Sequence, residues 1–132
     1  MKIKSSQTLV EEAEKNIETL SAKQTKEIIN SKNGLLIDVR DIRELWKEGT
    51  LKNSIHIPRG MLEFWLDPES SYYKERKIGE IKKMILFCAL GLRSALATKS
   101  LVEMGFENVA HVEGGFDALK EVGLEIVKKD KK

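Results

Sequence analysis

Apolar and polar positions along the chain fall into blocks whose period changes, and the period suggests each element. Leu9, Ala13, Ile17 and Leu20 recur at helical intervals, and Thr8 followed by Glu11 has the spacing of a capping box. Ser21 and Gln24 repeat that start signal before Ile28 and Ile29, and Asn33 with Gly34 marks the stop. Leu35 to Val39 is then a largely apolar run of strand length, read as a buried strand. Asp41 caps a short helix through Glu44 and Trp46 that ends at Gly49, and Ser54 to Ile57 is a short strand halted by Pro58.

Met84 to Phe87 is a second buried strand and runs directly into Cys88. Ser94 to Met104 is helical and stops at Gly105. Asn108 to Val112 is another strand, Gly114 and Gly115 turn the chain, and Phe116 to Val122 forms a last helix. Residues 60–80 are mixed. Met61, Leu62, Phe64, Trp65 and Leu66 suit a core helix as well as they suit a lid or docking surface, and Asp67 with Pro68 breaks the pattern. Strands alternating with helices predict an α/β domain with a mainly parallel sheet.

Composition narrows the class. The 132 residues suit one domain, with 41% hydrophobic and 33% charged residues as in ordinary globular chains. Lys+Arg 23 against Asp+Glu 21 gives +2, too balanced for a general nucleic-acid binder. The only basic run, Lys128 to Lys132 around Asp130, reads as a solvated tail. No stretch approaches the roughly 20 apolar residues of a membrane span, and the start lacks a signal-peptide core, so the expected compartment is the cytoplasm. A single cysteine excludes an internal disulfide and a multi-cysteine metal site.

The segment Cys88-Ala89-Leu90-Gly91-Leu92-Arg93-Ser94 carries the candidate chemistry. It lies between a buried strand and a helix start, where open parallel sheets bind ligands. A thiol there faces turn amides and the positive end of the helix dipole, and both favour the thiolate. Gly91 lets the loop curl, and Arg93 offers a fixed positive charge suited to an oxyanion such as thiosulfate. An isolated strand-end cysteine is ordinarily a packing residue. A packing residue, however, needs neither a glycine nor an arginine in the turn that follows it.

The stretch CALGLRSALATKSLVEMGFENVAHVEGGF resembles the active-site region of the rhodanese family, and LIDVRDIRELWKEGTLKNSIHIPRG resembles its upstream signature. The resemblance spans about residues 35 to 122, and the helix at 21–32 also fits. It implies a three-layer α/β fold with a central, mostly parallel five-stranded sheet flanked by helices. It also implies three parts: a helical extension at 1–20, the domain at 21–127 and a basic tail at 128–132. By the same motif Cys88 becomes the sulfur carrier and Ala89, Leu90, Gly91, Leu92 and Arg93 line the persulfide cradle, with no cofactor. The implied partners are a small-molecule or protein persulfide donor, or thiosulfate, and a thiol or cyanide acceptor.

The chain departs from the family pattern in several places. Gly49-Thr50 stands for glycine-histidine, Lys52-Asn53 for proline-glycine, and Leu119 for an aromatic. Arg59 and Trp65 are further candidates for the pocket, while Asp38 and Arg40 are expected to form an internal ion pair or to support the loop. His56 and His111, in predicted strands, are expected to be structural. Cysteine phosphatases and arsenate reductases are rivals with a longer cysteine-to-arginine loop, because only Ala89 to Leu92 lie between Cys88 and Arg93 here. A non-catalytic protein-binding module of the same fold is a third alternative.

Overall fold

Two strands whose residues are buried throughout, Met84–Phe87 and Val109–Val112, stand side by side, and that pairing explains why their apolar runs do not alternate with polar residues. The computed structural model describes residues 2–73 and 83–131. In chain order the elements are α1 (Ser6–Glu14), β1 (Glu18–Leu20), α2 (Ala22–Asn30), β2 (Leu35–Asp38), α3 (Ile42–Glu48), β3 (Thr50–Leu51), β4 (Ile55–His56), a 3-10 turn (Arg59–Met61), α4 (Leu62–Leu66), β5 (Met84–Phe87), α5 (Leu92–Met104), β6 (Val109–Val112), α6 (Gly115–Glu121) and β7 (Ile126–Val127).

Five strands form the central sheet in the order β1-β6-β5-β2-β4, and each recorded pair is parallel. The two faces of the sheet alternate along each strand. Ile37, Leu86 and Val109 pack with Leu62, Leu66, Ala97 and Leu101 from α4 and α5. Leu36, Ile85, Phe87 and Ala110 pack with Ala22, Phe116 and Leu119 from α2 and α6. This is the three-layer arrangement that the family resemblance implies. Because the strands are parallel, their carboxyl ends share one edge, and Cys88 follows β5 at that edge.

The first segment differs from the sequence reading. Ser5, not Thr8, caps α1: its side chain accepts the Thr8 N–H at 3.0 Å. The helix stops at Glu14, and the Asn16 side chain takes the Glu12 carbonyl instead of continuing the ladder. Residues 18–20 therefore do not belong to a helical extension. They form edge strand β1, with Glu18 opposite Ala110 and Leu20 opposite Val112. Ile17 and Leu20 keep a helical spacing from Ala13, but pairing with β6 and burial of Leu20 override it. A second small sheet, β3 antiparallel to β7, was also not anticipated. In the tail, the Lys131 ammonium lies 5.3 Å from the centre of the Trp46 ring.

In the 60–73 stretch, Leu62 and Leu66 are core residues and Trp65 packs against the same cluster, whereas Phe64 meets Tyr72 edge-on at the surface. Residues 74–80 of the mixed stretch lie outside the described residues. Among those described, no helix is long and apolar enough to cross a membrane.

The largest wholly buried side chain is Arg40, and it meets the Asp38 carboxylate at 2.8 Å with both side chains inaccessible. Arg40 also donates to the Gly49 carbonyl at 2.8 Å and to Glu48 at 3.2 Å, while Thr50 donates to Asp38 at 2.7 Å. The pair thus ties the end of β2 to α3 and β3. Removing one member of such a pair strands the other in a dry interior, at a cost of about 3–5 kcal/mol. Arg40→Met is expected to lower the urea-unfolding free energy by about that amount, and a loss below about 1 kcal/mol would contradict this role.

Candidate active site

The site begins with a tight exit from β5. Cys88 is 1% exposed, and the chain turns at once into α5 through Gly91, whose φ of 106° lies in the left-handed region that side chains with a Cβ resist. That turn aims two backbone amides at the sulfur: Gly91 N–H donates to Sγ at 3.1 Å and Ser94 N–H at 3.3 Å. First-turn amides of a helix have no partner within the helix, and the helix dipole adds positive potential at the same end. Negative charge on sulfur is therefore met by fixed donors. Ser94 Oγ lies 3.5 Å from Sγ as a third polar neighbour.

The loop is clamped from behind. Phe116 N–H donates to the Cys88 carbonyl at 2.8 Å, which brings α6 against the loop backbone. Gly115 sits at φ 57° in that approach, and a Cβ there would collide with the Cys88 carbonyl oxygen and lie 2.7 Å from that of Ala89. Sequence reasoning assigned Gly114 and Gly115 only to a turn. The overlooked signal was a glycine pair following a buried strand next in the sheet to the one that ends in cysteine.

The predicted site residues separate in space. Ala89, Leu90, Gly91 and Leu92 stay with Cys88, and Leu90 and Leu92 are 64% and 59% exposed, so the rim is apolar and open. Beside it runs a groove of about 500 Å³ between α1 and α5, lined by Val10, Glu11, Glu14, Leu92, Arg93 and Leu96 among others. Arg93 lines the same groove but is ion-paired: its guanidinium forks onto Glu44 of α3 at 2.7 and 3.0 Å. That pairing raises the Arg93 pKa and lowers that of Glu44. The charge expected to face an oxyanion is already balanced by a carboxylate. Glu44 is placed for this by its position in the α3 capping box, where it also accepts the Asp41 N–H.

Asp38 and Arg40 form the internal ion pair described above, and the Arg40 guanidinium lies 4.1 Å from the centre of the Phe116 ring. They support the loop through α6. The Arg59 guanidinium reaches Glu63 at 3.0 Å and Ser100 at 3.4 Å, in the second half of α5, so these contacts are not with the loop. Trp65 belongs to the packing of α4. His56 meets the backbone, its Nε2–H donating to the Arg40 carbonyl oxygen at 2.7 Å. His111 is different: it is buried, its Nδ1 lies 3.0 Å from Ser94 Oγ, and burial pushes its pKa down to about 4.

A family model described as the rhodanese-like domain matches residues 21–122. A tRNA uridine(34) hydroxylase of Hamiltonella defensa is 36% identical over 96 residues, which cover 73% of this chain but only 26% of the hydroxylase. A solved Rhodopseudomonas palustris protein of unknown function, described as a possible tyrosine phosphatase, superposes with a TM-score of 0.88 at 40% identity, covering 96% of this chain and 97% of that one. The polysulfide-sulfur transferase of Wolinella succinogenes, a homodimer, superposes with a TM-score of 0.68 at 33% identity, covering 93% and 87%.

Two outcomes follow from this geometry. Gly115→Ala is expected to cost at least about 2 kcal/mol of stability and to slow alkylation of Cys88, since backbone cannot yield as a side-chain tip does. A variant with wild-type stability and reactivity would show that the close approach is dispensable. For His111, the folded value of about 4 lies below the ordinary 6.5. Between those values the unfolded chain binds a proton that the folded chain refuses, so stability falls as pH drops through that window. His111→Gln should flatten the pH dependence of urea unfolding there, and an unchanged slope would contradict the assignment.

Proposed function

This chain belongs to the rhodanese-like family, and we propose on that premise that it is a sulfurtransferase carrying sulfur as a Cys88 persulfide. The observation that carries the reading is the pair of amides, from Gly91 and Ser94, directed at Sγ. In the first step the Cys88 thiolate attacks the outer sulfur of a donor. A new S–S bond forms, the donor's own bond to that sulfur breaks, and the remainder leaves with the electron pair. The loop amides stabilise the resulting Cys–S–S⁻ as they stabilise charge on Sγ. A thiolate or cyanide then attacks the outer sulfur, takes it, and returns Cys88 as thiolate. With one cysteine in the chain, the sulfur leaves to another molecule.

The rim supports one class of donor over another. Ala89, Leu90 and Leu92 offer no charge, and Arg93 is held by Glu44. The sulfonate oxygens of thiosulfate find no unpaired cation on this rim, whereas the inner sulfur atoms of a polysulfide, or the body of a larger persulfide, can lie against Leu90 and Leu92, so these are the better fit. The likeness to a polysulfide-sulfur transferase supports the same class. A tyrosine phosphatase reading has the palustris protein's description in its favour. It would need Arg93 turned into the loop to hold phosphate, and the Glu44 pair opposes that.

Intact mass spectrometry tests the proposal. After polysulfide, the wild-type chain is expected to gain one sulfur atom that cyanide removes, and Cys88→Ser is expected to gain none; thiosulfate should load more slowly. A wild-type chain that takes up no sulfur would return the protein to the class of binding modules. Phosphate-ester turnover lost in Cys88→Ser would return it to the phosphatases.

A further inference from the structure

His111 is surrounded by groups that the sulfur-transfer steps above do not use. It is 1% exposed on β6, yet hydrogen bonds run from it in both directions. Inward, Nδ1 meets Ser94 Oγ at 3.0 Å, and Ser94 Oγ meets Cys88 Sγ at 3.5 Å. Outward, Nε2 meets the hydroxyl of Thr19 on exposed strand β1 at 3.2 Å, with the Glu14 carboxylate 3.8 Å away. Cys88, just after β5, and one residue each from α5, β6 and β1 thereby form a continuous line from buried sulfur to surface. Each interior member, two hydroxyls and an imidazole, can donate and accept at once.

We propose that Ser94 and His111 form a proton relay through which the Cys88 thiol loses its proton to solvent at Thr19. The proposal rests on the reading of Cys88 as the reacting nucleophile. In the thiol state the line points outward: Sγ–H donates to Ser94, Ser94 to Nδ1, and Nε2–H to Thr19. On ionisation the Sγ–H bond breaks and its electron pair stays on sulfur. The proton joins Ser94 Oγ, the earlier Ser94 proton moves to Nδ1, the Nε2 proton passes to Thr19, and the Thr19 hydroxyl proton leaves to water. One proton enters the line and one departs. His111 remains neutral but exchanges tautomers, and Ser94 ends as a donor to the thiolate.

Such a device suits a nucleophile that is enclosed. Cys88 lies among core residues that include Leu86 and Ala97, so water has poor access to it from inside the domain. A merely packing histidine would hold one tautomer whatever the state of the sulfur. The charged groups around the line are few and largely paired. Glu14 faces His111 from α1, Glu18 of β1 is held by Lys83, and Arg93 of α5 is held by Glu44 of α3. Asp38 beyond them is bound to Arg40.

The decisive readout is the ¹⁵N spectrum of the two His111 ring nitrogens, recorded while Cys88 is titrated from thiol to thiolate and followed by its ultraviolet absorbance. The expected result is exchange of the protonated nitrogen, from Nε2 to Nδ1, at the pH where the thiolate absorbance rises, and no exchange in Cys88→Ala. Ser94→Ala, which removes one hydroxyl and keeps the amide, should uncouple the two signals and slow Cys88 alkylation at neutral pH roughly tenfold, the weight of one hydrogen bond to a charged group. Ser94→Thr should restore both. A His111 tautomer that stays fixed through the titration overturns the relay, as does wild-type alkylation in Ser94→Ala. Sulfur uptake by the same samples is read separately: a chain that shows the exchange yet loads no sulfur keeps the relay and loses the carrier role.

Discussion

The buried pair between Asp38 and Arg40 is the constraint from which the edge of the sheet is built. Two opposite charges with no exposed surface persist only when every remaining donor and acceptor is occupied. Gly49, Glu48 and Thr50 supply those partners, and in doing so they fix α3 and β3 against the end of β2. The guanidinium also lies over the Phe116 ring, so the same charge steadies α6. Because α6 begins where Gly115 touches the backbone of Cys88, an ion pair at the end of the neighbouring strand shapes the loop that holds the thiol.

What the loop does chemically depends on backbone more than on side chains. Two amides and a helix end address the sulfur, and the side chains around the rim are alanine and leucine. A cradle made of amides favours charge on sulfur without selecting a particular donor. Under the proposed function, selection would fall to the apolar rim and to the neighbouring groove between α1 and α5. The arginine that would have given the loop a taste for small oxyanions holds α3 in place instead. Its role here is to bridge, and the bridge keeps α3 close to the site.

Long apolar runs made much of the fold legible. Leu36 to Val39, Met84 to Phe87 and Val109 to Val112 are buried on both faces, and unbroken burial over so short a run suits an inner parallel strand and not an alternating one. Cysteine, glycine and arginine between strand and helix marked the loop for the same reason. Elements held by pairing alone were not legible. β1 has only Leu20 buried, and β3 and β7 have two residues each, too few for a period to show. Partners distant along the chain were equally hidden. Nothing local connects Glu44 to Arg93, or His111 to Ser94, and only the sheet order brings them together.

The central claim is that Cys88 holds a single sulfur atom within reach of the loop amides, and a crystal structure of the chain after polysulfide treatment tests it most directly. The account predicts electron density for one added sulfur bonded to Sγ, within hydrogen-bonding distance of amides of the segment from Ala89 to Ser94, and with Arg93 still on Glu44. Density for a tetrahedral oxyanion enclosed by the loop and gripped by Arg93, or an unmodified Cys88 under conditions that load other thiols, would contradict it.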